Sequence, residues 1–215
     1  MIGKFISFEG VDGSGKSTQV EKLYQWYLGN GHRVIKLREP GGTKLGEALR
    51  NILKFDDAGK GIHRISELLL FQAARAEIVN KVIIPNLHDG VNVICDRFID
   101  STTAYQGYGR GIDIHTIMEL NRVSTENLVP DVTFFINPHF SLIQKRVSVR
   151  AEEKDSIELA GLEFQQKVLN GYADLSCRND KRIVEIKNGG SPDEVFEDVI
   201  KEVYTRFYKK EIDIV

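Results

Sequence analysis

The sequence has few cysteines, no long apolar run and almost no net charge. Two cysteines, Cys95 and Cys177, among 215 residues are too few for a disulfide framework, so we expect a reducing, cytoplasmic environment. The formal net charge of −2 gives no bulk attraction to nucleic acid or to an acidic membrane surface. No apolar run reaches the length of a membrane span. From the charge and the run lengths together, we expect neither a nucleic-acid partner nor a membrane partner. The five histidines are scattered, which argues against a dedicated transition-metal site.

The composition is that of an ordinary globular protein, with 41% hydrophobic residues in a length that suits one domain spanning residues 1–215. Five apolar segments predict strands, at residues 5–8, 33–37, 91–95, 131–136 and 182–186. Helical patterns separate these segments, and strands that alternate with helices predict an α/β fold with a mostly parallel sheet. In such a sheet the chemistry is expected just beyond the carboxyl ends of the strands.

The first strand runs into a glycine-rich segment that matches G-x-x-x-x-G-K-[ST] at residues 10–17 and is followed by an amphipathic helical pattern. This order of strand, loop and helix is typical of a loop that cradles a nucleoside triphosphate. Lys16 is expected to reach the β- and γ-phosphates, and the Ser17 hydroxyl to ligate Mg²⁺. The alternative is a glycine-rich turn capped by Ser17. The residues expected around the ATP phosphates are Gly10, Asp12, Gly13, Ser14, Gly15, Lys16, Ser17 and Thr18.

Asp96 follows the third predicted strand, VNVIC, and so resembles the second acidic element of phosphate-loop proteins. An acid there can help Ser17 to hold Mg²⁺. Enzymes that hydrolyse ATP commonly place a glutamate next, whereas here the next residue is Arg97, a cation suited to clamping two phosphate groups. This pattern favours phosphoryl transfer over hydrolysis. A salt bridge at the strand end is the alternative for Asp96.

The long helical pattern at residues 64–87 places Glu67, Phe71 and Arg75 on one face, at a spacing of four. An aromatic ring one turn from a guanidinium can stack on a base and hydrogen-bond its edge. The alternative is a core phenylalanine with a solvated arginine. The segment at residues 101–111, STTAYQGYGRG, carries hydrogen-bonding side chains between glycine turns. A polar surface loop is the alternative.

A basic cluster surrounds the end of the helical pattern at residues 141–150 and contains Lys145, Arg146, Arg150 and Lys154. Arg146 and Arg150 share one face of that pattern. Cations that move over a polyphosphate would stabilise the charge of the transferring group and exclude water. A solvated basic helix is the alternative.

Together these segments resemble the thymidylate kinase family over about residues 3–172. The resemblance rests on FEGVDGSGKST at 8–18, REPGGT at 38–43, ELLLFQAAR at 67–75 and DRFIDSTTAYQG at 96–107. It implies transfer of a phosphoryl group from ATP to dTMP, giving dTDP and ADP in dTTP biosynthesis, with Mg²⁺ as cofactor. The implied architecture is a P-loop NTPase fold, a five-stranded parallel sheet sandwiched by helices, with a lid at about 145–158 and assembly as a homodimer.

For the base and sugar of dTMP, the resemblance implies five contacts. Phe71 would stack on thymine, and Arg75 would hydrogen-bond the edge of the ring. Thr102 and Gln106 would contact or border the base. Tyr105 would pack near C2′ of the sugar and disfavour a ribose hydroxyl.

For the acceptor phosphate, the resemblance implies that Arg50 and Arg97 hold it. Asp12 would lie near the 3′-hydroxyl and the phosphate. Glu39 and Pro40 would form a loop that closes against the acceptor.

The sequence departs from the family pattern where catalytic cations are often found. Gly13 stands where some members have an arginine inside the phosphate loop, and residues 155–158 (Asp-Ser-Ile-Glu) lack the arginine that many members carry in the lid. We therefore expect the catalytic cations to be Lys16, Arg97, Arg146 and Arg150.

Two other functions remain open. A kinase for another deoxynucleotide, or for a deoxynucleoside with Glu39 as the base, would share most of these features. A nucleotide-operated switch would also have the phosphate loop, but the guanine motif N-K-x-D is missing, since the only N-K pair is followed by Val82 and Ile83.

Overall fold

The computed structural model describes residues 2–149, 161–187 and 190–209 of the chain. Its centre is a sheet of five parallel strands in the order β2-β3-β1-β4-β5. The strands are β1 (Phe5–Glu9), β2 (Val34–Arg38), β3 (Asn92–Asp96), β4 (Val132–Ile136) and β5 (Ile183–Ile186). The predicted α/β fold with a parallel sheet is thus confirmed. Both ends of each strand lie within one residue of the predicted bounds.

Nine α-helices lie between and after the strands in the described part of the chain. They are α1 (Lys16–Gly29), α2 (Lys44–Lys54), α3 (Arg64–Ile78), α4 (Ile84–His88), α5 (Ile99–Thr102), α6 (Ile114–Ser124), α7 (Phe140–Val149), α8 (Gly161–Arg178) and α9 (Pro192–Val203). Among the residues described, no helix is both long enough and apolar enough to cross a membrane.

Helices cover both faces of the sheet, because successive side chains of each strand point to opposite sides. Ile6 and Phe8 of β1 pack in a core cluster with residues of α1 and α9. Phe5 packs on the opposite face, in a cluster with residues from the end of α3 to α4. A third cluster joins Phe135 of β4 to the side chains of α8. Since side chains alternate along β1, Glu9 points to the same face as Phe5.

The helical pattern at residues 64–87 forms one continuous helical run despite Pro85. A π-helical turn at Val79–Ile83 joins α3 to α4, and Pro85 lies in the first turn of α4. A proline inside a continuous helix removes one backbone hydrogen bond, and the irregular π-helical turn lies directly before α4, which contains this one.

The alternative of a polar surface loop at residues 101–111 is wrong. This stretch is helical, with α5 followed by a π-helical turn at Thr103–Gly109. The turn packs so closely on α8 that a Cβ on Gly171 would lie 2.7 Å from Cγ of Tyr108. Burial against α8 therefore overrides the local preference of glycines and hydroxyl residues for a turn.

Candidate active site

The glycine-rich segment between β1 and α1 adopts backbone angles that favour glycine. Gly10 has a φ of 142°, and a Cβ there would lie 2.6 Å from the carbonyl oxygen of Ile136. Gly15 has a φ of 100° and immediately precedes α1. The first N–H groups of α1 therefore open toward the loop and carry the positive end of the helix dipole. This arrangement is suited to binding a polyphosphate.

Lys16 begins α1, and its side chain folds back over the loop. Its Nζ donates to the carbonyl oxygen of Val11 at 3.4 Å and lies 3.3 Å from Oδ1 of Asp12. Burial, and then the charge of Arg97, lowers the pKa of Lys16. A cation with so little water around it interacts strongly with a phosphate that replaces the missing solvation.

Ser17 and Asp96 meet at the carboxyl end of the sheet. The Ser17 hydroxyl donates to Oδ2 of Asp96 at 2.5 Å. Both offer hard oxygen ligands, which Mg²⁺ prefers, and Mg²⁺ usually completes its shell with waters and substrate phosphates. The pair therefore fits Mg²⁺ shared with ATP. Within the described residues, no group of three His, Cys, Asp or Glu side chains could hold a metal ion.

Arg97 follows β3 in a left-handed backbone conformation, with a φ of 74°. Such a conformation is strained for a non-glycine residue and persists only where the surroundings enforce it. Its guanidinium donates to the carbonyl oxygen of Gly10 at 2.9 Å, to Oδ1 of Asp12 at 2.7 Å and to the hydroxyl of Tyr105 at 3.2 Å. The guanidinium carbon also lies 5.0 Å from the centre of the Tyr105 ring. Arg97 is thus held at the mouth of the phosphate loop.

Asp12 lies between two cations. Burial alone would raise its pKa, but the charges of Arg97 and Lys16 hold the pKa of its carboxyl well below the usual range. The ionised Asp12 therefore fixes both cations without neutralising them, and the loop keeps an excess of positive charge.

Arg75 lies at the centre of a buried polar network rather than in solvent. Its side chain is 2% exposed, and its Nη2 forms a 2.7 Å ion pair with Oε2 of Glu39. The guanidinium of Arg75 also donates to the hydroxyl of Thr102 at 2.8 Å, to Oδ1 of Asn121 at 3.0 Å and to the carbonyl oxygen of Phe98 at 3.1 Å. The alternative of a solvated arginine is therefore wrong.

Glu39 is committed to this network through one carboxyl oxygen. Its Oε2 accepts from Nε and Nη2 of Arg75, whereas its buried Oε1 has no hydrogen-bond partner among the described residues. Burial raises the pKa of Glu39, and the charge of Arg75 opposes that shift. The next residue, Pro40, offers its carbonyl oxygen to Nη1 of Arg50 at 3.2 Å.

Gln106 and Glu67 form a second buried polar group next to this network. Nε2 of Gln106 donates to Oε1 of Glu67 at 2.9 Å, and Nη2 of Arg110 donates to Oε2 of Glu67 at 3.1 Å. Because the carboxylate of Glu67 accepts from the amide nitrogen of Gln106, it sets the orientation of that amide. Phe71, one turn after Glu67, is half-buried beside the cluster that includes Tyr105.

The structure therefore brings most of the predicted site residues to one edge of the sheet, in three connected groups. The phosphate loop carries Lys16, the strand ends carry Asp96 and Arg97, and α3 with the turn after α5 carries the polar side chains around Arg75. Arg146 belongs to α7, but its side chain lies outside the described part of the structure, as does the whole of Arg150.

Sequence reasoning missed several side chains that hold this site. The hydroxyl of Tyr172 donates to Glu9 and accepts from Arg97, and Oδ1 of Asn121 accepts from Arg75 and from Gln72. Glu9 could have been noticed as a carboxylate at the end of a buried strand. Asn121 and Tyr172 carry no local signal, because they belong to helices far along the chain from the residues they contact.

Comparisons with known proteins give one family. The family model described as thymidylate kinase matches residues 8–199. The thymidylate kinase of Prosthecochloris aestuarii is 42% identical over 210 residues, which cover 94% of this chain and 93% of the relative. The thymidylate kinase of Kosmotoga olearia is 44% identical over 198 residues, covering 92% and 94% of the two chains. The crystal structure of thymidylate kinase from Ehrlichia chaffeensis superposes with a TM-score of 0.76 at 38% identity, over 94% of this chain and 99% of the other.

Proposed function

The chain belongs to the thymidylate kinase family and phosphorylates dTMP to dTDP with ATP; we propose that Arg97 and Lys16 align the two substrates at the phosphate loop. The observation that carries this proposal is the position of Arg97. Its guanidinium reaches both the backbone of the loop, at Gly10, and the side chain of Asp12.

The reaction needs alignment and charge neutralisation more than a strong base. An oxygen of the dTMP phosphate attacks the γ-phosphorus of ATP in line with the departing ADP. The attacking phosphate has a second pKa of about 6 and is therefore already largely ionised near neutral pH. The loop N–H groups and Lys16 hold the donor phosphates, and Arg97 spans donor and acceptor. Each contact becomes stronger as negative charge spreads over the transferring group.

Mg²⁺ is the proposed cofactor, held by Ser17 and Asp96. When bound, it neutralises charge on the phosphates and orients them. The role of the chain is to offer the two oxygen ligands 2.5 Å apart, at the start of α1 and at the end of β3.

The dTMP phosphate is proposed to lie between Arg97 and Arg50. Arg50 extends from α2, and its guanidinium donates to the carbonyl oxygen of Pro40, next to Glu39. Asp12 accepts from Arg97 at 2.7 Å and would lie near the 3′-hydroxyl and the phosphate of dTMP. Glu39 and Pro40 form the segment that would close on the acceptor.

The base is proposed to lie against Phe71, with Arg75, Thr102 and Gln106 around its edge. Thymine presents the O4 acceptor where cytosine presents an N4 amine. Arginine carries donors only, so Arg75 favours thymine. Nη1 of Arg75 already makes three contacts, of which the 3.4 Å one to Gln72 is the longest. A base oxygen would share this nitrogen. Tyr105, which packs on Arg97, would disfavour a ribose 2′-hydroxyl.

Three broader features complete the proposal. Residues 1–215 form one domain with a lid at about 145–158, in which Arg146 and Arg150 supply further cations. The protein works as a homodimer in the cytoplasm. Exposed apolar residues on α3 and α6, Leu69 at 49% and Met118 at 60% exposure, support a self-association surface. If the purified protein sedimented with the mass of a single chain, the dimer would be contradicted. Sedimentation with the mass of two chains would support it.

The substrate assignment is tested by measuring ADP formation from Mg·ATP with dTMP, dUMP, dCMP, dGMP and thymidine offered separately. We expect strong turnover with dTMP and little with dCMP, because Arg75 donates to O4 of thymine, where cytosine carries an amine. Turnover with thymidine but with no monophosphate would identify a nucleoside kinase and would overturn the phosphate-binding roles of Arg50 and Arg97. ATP hydrolysis that ignores every acceptor would favour a nucleotide-operated switch.

A further inference from the structure

Glu9 is a fully buried carboxylate to which neither the phosphate loop nor the base pocket gives a role. It ends β1 and has 0% exposure. Because it points to the same face of the sheet as Phe5, it lies under the turn that follows β3. A buried charge is expensive unless its surroundings supply hydrogen bonds. The partners of Glu9 therefore indicate why it is there.

Three donors from two elements converge on the Glu9 carboxylate. The backbone N–H of Phe98 donates to Oε1 at 2.7 Å. The hydroxyl of Ser101 donates to Oε2 at 2.5 Å, and the hydroxyl of Tyr172, from α8, donates to the same oxygen at 3.0 Å. Glu9 thus joins the turn at Arg97 and α5 to α8.

The same two hydroxyl groups also contact Arg97. Nη1 of Arg97 donates to Oγ of Ser101 at 3.1 Å and to the hydroxyl oxygen of Tyr172 at 3.3 Å. A hydroxyl has one hydrogen to give. When both hydrogens point at Glu9, the lone pairs of both oxygens are left for the guanidinium. The carboxylate therefore orients its neighbours as acceptors for Arg97.

Glu9 also fixes the backbone from which Arg97 extends. Arg97 has a φ of 74°, and the N–H of Phe98 directly after it is held by Glu9. On its other side the N–H of Arg97 donates to the carbonyl oxygen of Phe8 at 2.9 Å. The left-handed residue is thus pinned on both sides by the end of β1, which is the kind of external support that such a conformation needs.

We propose that Glu9 is a positioning residue for Arg97, which holds the left-handed turn and turns the hydroxyls of Ser101 and Tyr172 into acceptors for the guanidinium. The inference rests on the proposed role of Arg97 in aligning the substrates. Glu9 does not touch either substrate in this account. It acts on turnover through the position of Arg97.

The ionisation state of Glu9 then matters for activity. Burial, and then the charge of Asp100, raises the pKa of Glu9 from 4.5 to about 7. A protonated carboxyl donates to one of the hydroxyls, whose own hydrogen then turns away from Glu9, either toward Arg97 or toward the other hydroxyl 2.8 Å away. The charged and titratable groups that face Glu9 are Arg97, Asp100, Cys95, Tyr105, Tyr172 and Arg182.

The test compares the pH profiles of kcat and kcat/KM for dTMP between the wild type and Glu9→Gln. In the variant the amide oxygen can accept from Phe98, but the amide nitrogen donates to the two hydroxyls. Their hydrogens must then turn away from residue 9, toward each other or toward Arg97, so the pair no longer offers two acceptors to the guanidinium. We expect kcat at pH 8 to fall roughly tenfold to a hundredfold, as for the loss of a hydrogen bond to a charged group. The wild type should lose activity below about pH 7, beyond the loss from dTMP phosphate protonation near pH 6, and Glu9→Gln should keep only the substrate limb.

Tyr172→Phe keeps the ring and removes one of the two hydroxyls, so it tests the same link without altering Glu9. We expect a several-fold lower kcat in a protein that still unfolds cooperatively, with some loss of stability because Glu9 loses one hydrogen-bond donor. Tyr108→Phe is the matched control, because its hydroxyl on the adjacent turn contacts Asp174 and not Arg97. A Glu9→Gln variant with the wild-type pH profile, or a Tyr172→Phe variant with wild-type kcat, would overturn the inference. Wild-type turnover in Arg97→Ala would instead overturn the role of Arg97, and this inference with it.

Discussion

The buried pair of Arg75 and Glu39 makes a strong prediction about stability. Their side chains are 2% and 5% exposed, and Nη2 of Arg75 lies 2.7 Å from Oε2 of Glu39. Arg75→Met would fill similar space but would remove the cation that is paired with the buried carboxylate of Glu39. Breaking a buried pair in this way typically costs about 3–5 kcal/mol of unfolding free energy. We expect a loss in that range at pH 8, measured by urea denaturation without nucleotides.

The loss should depend on pH in a defined direction. Burial already raises the pKa of Glu39, so its contribution to stability is greatest when it is protonated and declines as pH rises through the folded-state pKa. Without Arg75 that pKa rises further, and Glu39 can escape the penalty at low pH by binding a proton. Arg75→Met should therefore lose less stability at pH 5 than at pH 8. The double variant with Glu39→Gln should remove most of this difference.

Arg122→Met is the matched control, because Arg122 forms an exposed ion pair with Glu119. Exposed pairs contribute at most about 1 kcal/mol, so this variant should unfold almost as the wild type does. If Arg75→Met lost no more stability than the control, or lost the same amount at both pH values, the buried pair would not stabilise the fold in this way.

Three further predictions concern the remaining groups. Ser17→Ala should raise the Mg²⁺ concentration needed for half-maximal turnover, because one of two protein oxygens is lost; an unchanged Mg²⁺ dependence in a titration would remove Ser17 from the metal site. Phe71→Ala should raise the Kd for dTMP, measured by calorimetry, by about 1–3 kcal/mol in binding free energy, as for a lost base stack; unchanged dTMP binding would place the base elsewhere. The folded-state pKa of Glu9 is about 7, against 4.5 in the unfolded chain. The protonated side chain therefore stabilises the fold below pH 4.5, and this stabilisation is lost as pH rises through 7. Relative to Glu9→Gln, the wild type should lose about 3 kcal/mol of unfolding free energy between pH 4 and pH 8; parallel stability curves of the two proteins would contradict that shift.

The fold was accessible from the sequence because its signals are local. Each strand is a short apolar run, and the phosphate loop is a contiguous motif between a strand and a helix. The helical turn at Thr103–Gly109 was not accessible in the same way. Its glycines and hydroxyl residues suggest a loop, and only the close approach of Gly171 on α8 explains why it is helical.

The site was accessible at its strand ends and not in its supporting contacts. Asp96 and Arg97 could be placed because parallel strands bring their carboxyl ends to one edge. The state of Arg75 could not, since its partners Glu39 and Asn121 lie 36 and 46 residues away along the chain. Sequence periodicity gives the face of a helix on which a residue lies, but it does not show which polar groups from other elements meet it there.

The turnover of Arg97→Ala with Mg·ATP and dTMP tests the role of Arg97 most directly. We expect kcat to fall by about a thousandfold or more, as when a catalytic arginine is removed from a phosphoryl-transfer site, while ATP still binds and the circular dichroism spectrum is that of the wild type. Arg122→Ala, on the exposed face of α6, should keep wild-type kcat. Near-normal turnover in a folded Arg97→Ala protein would contradict the claim that this guanidinium aligns donor and acceptor.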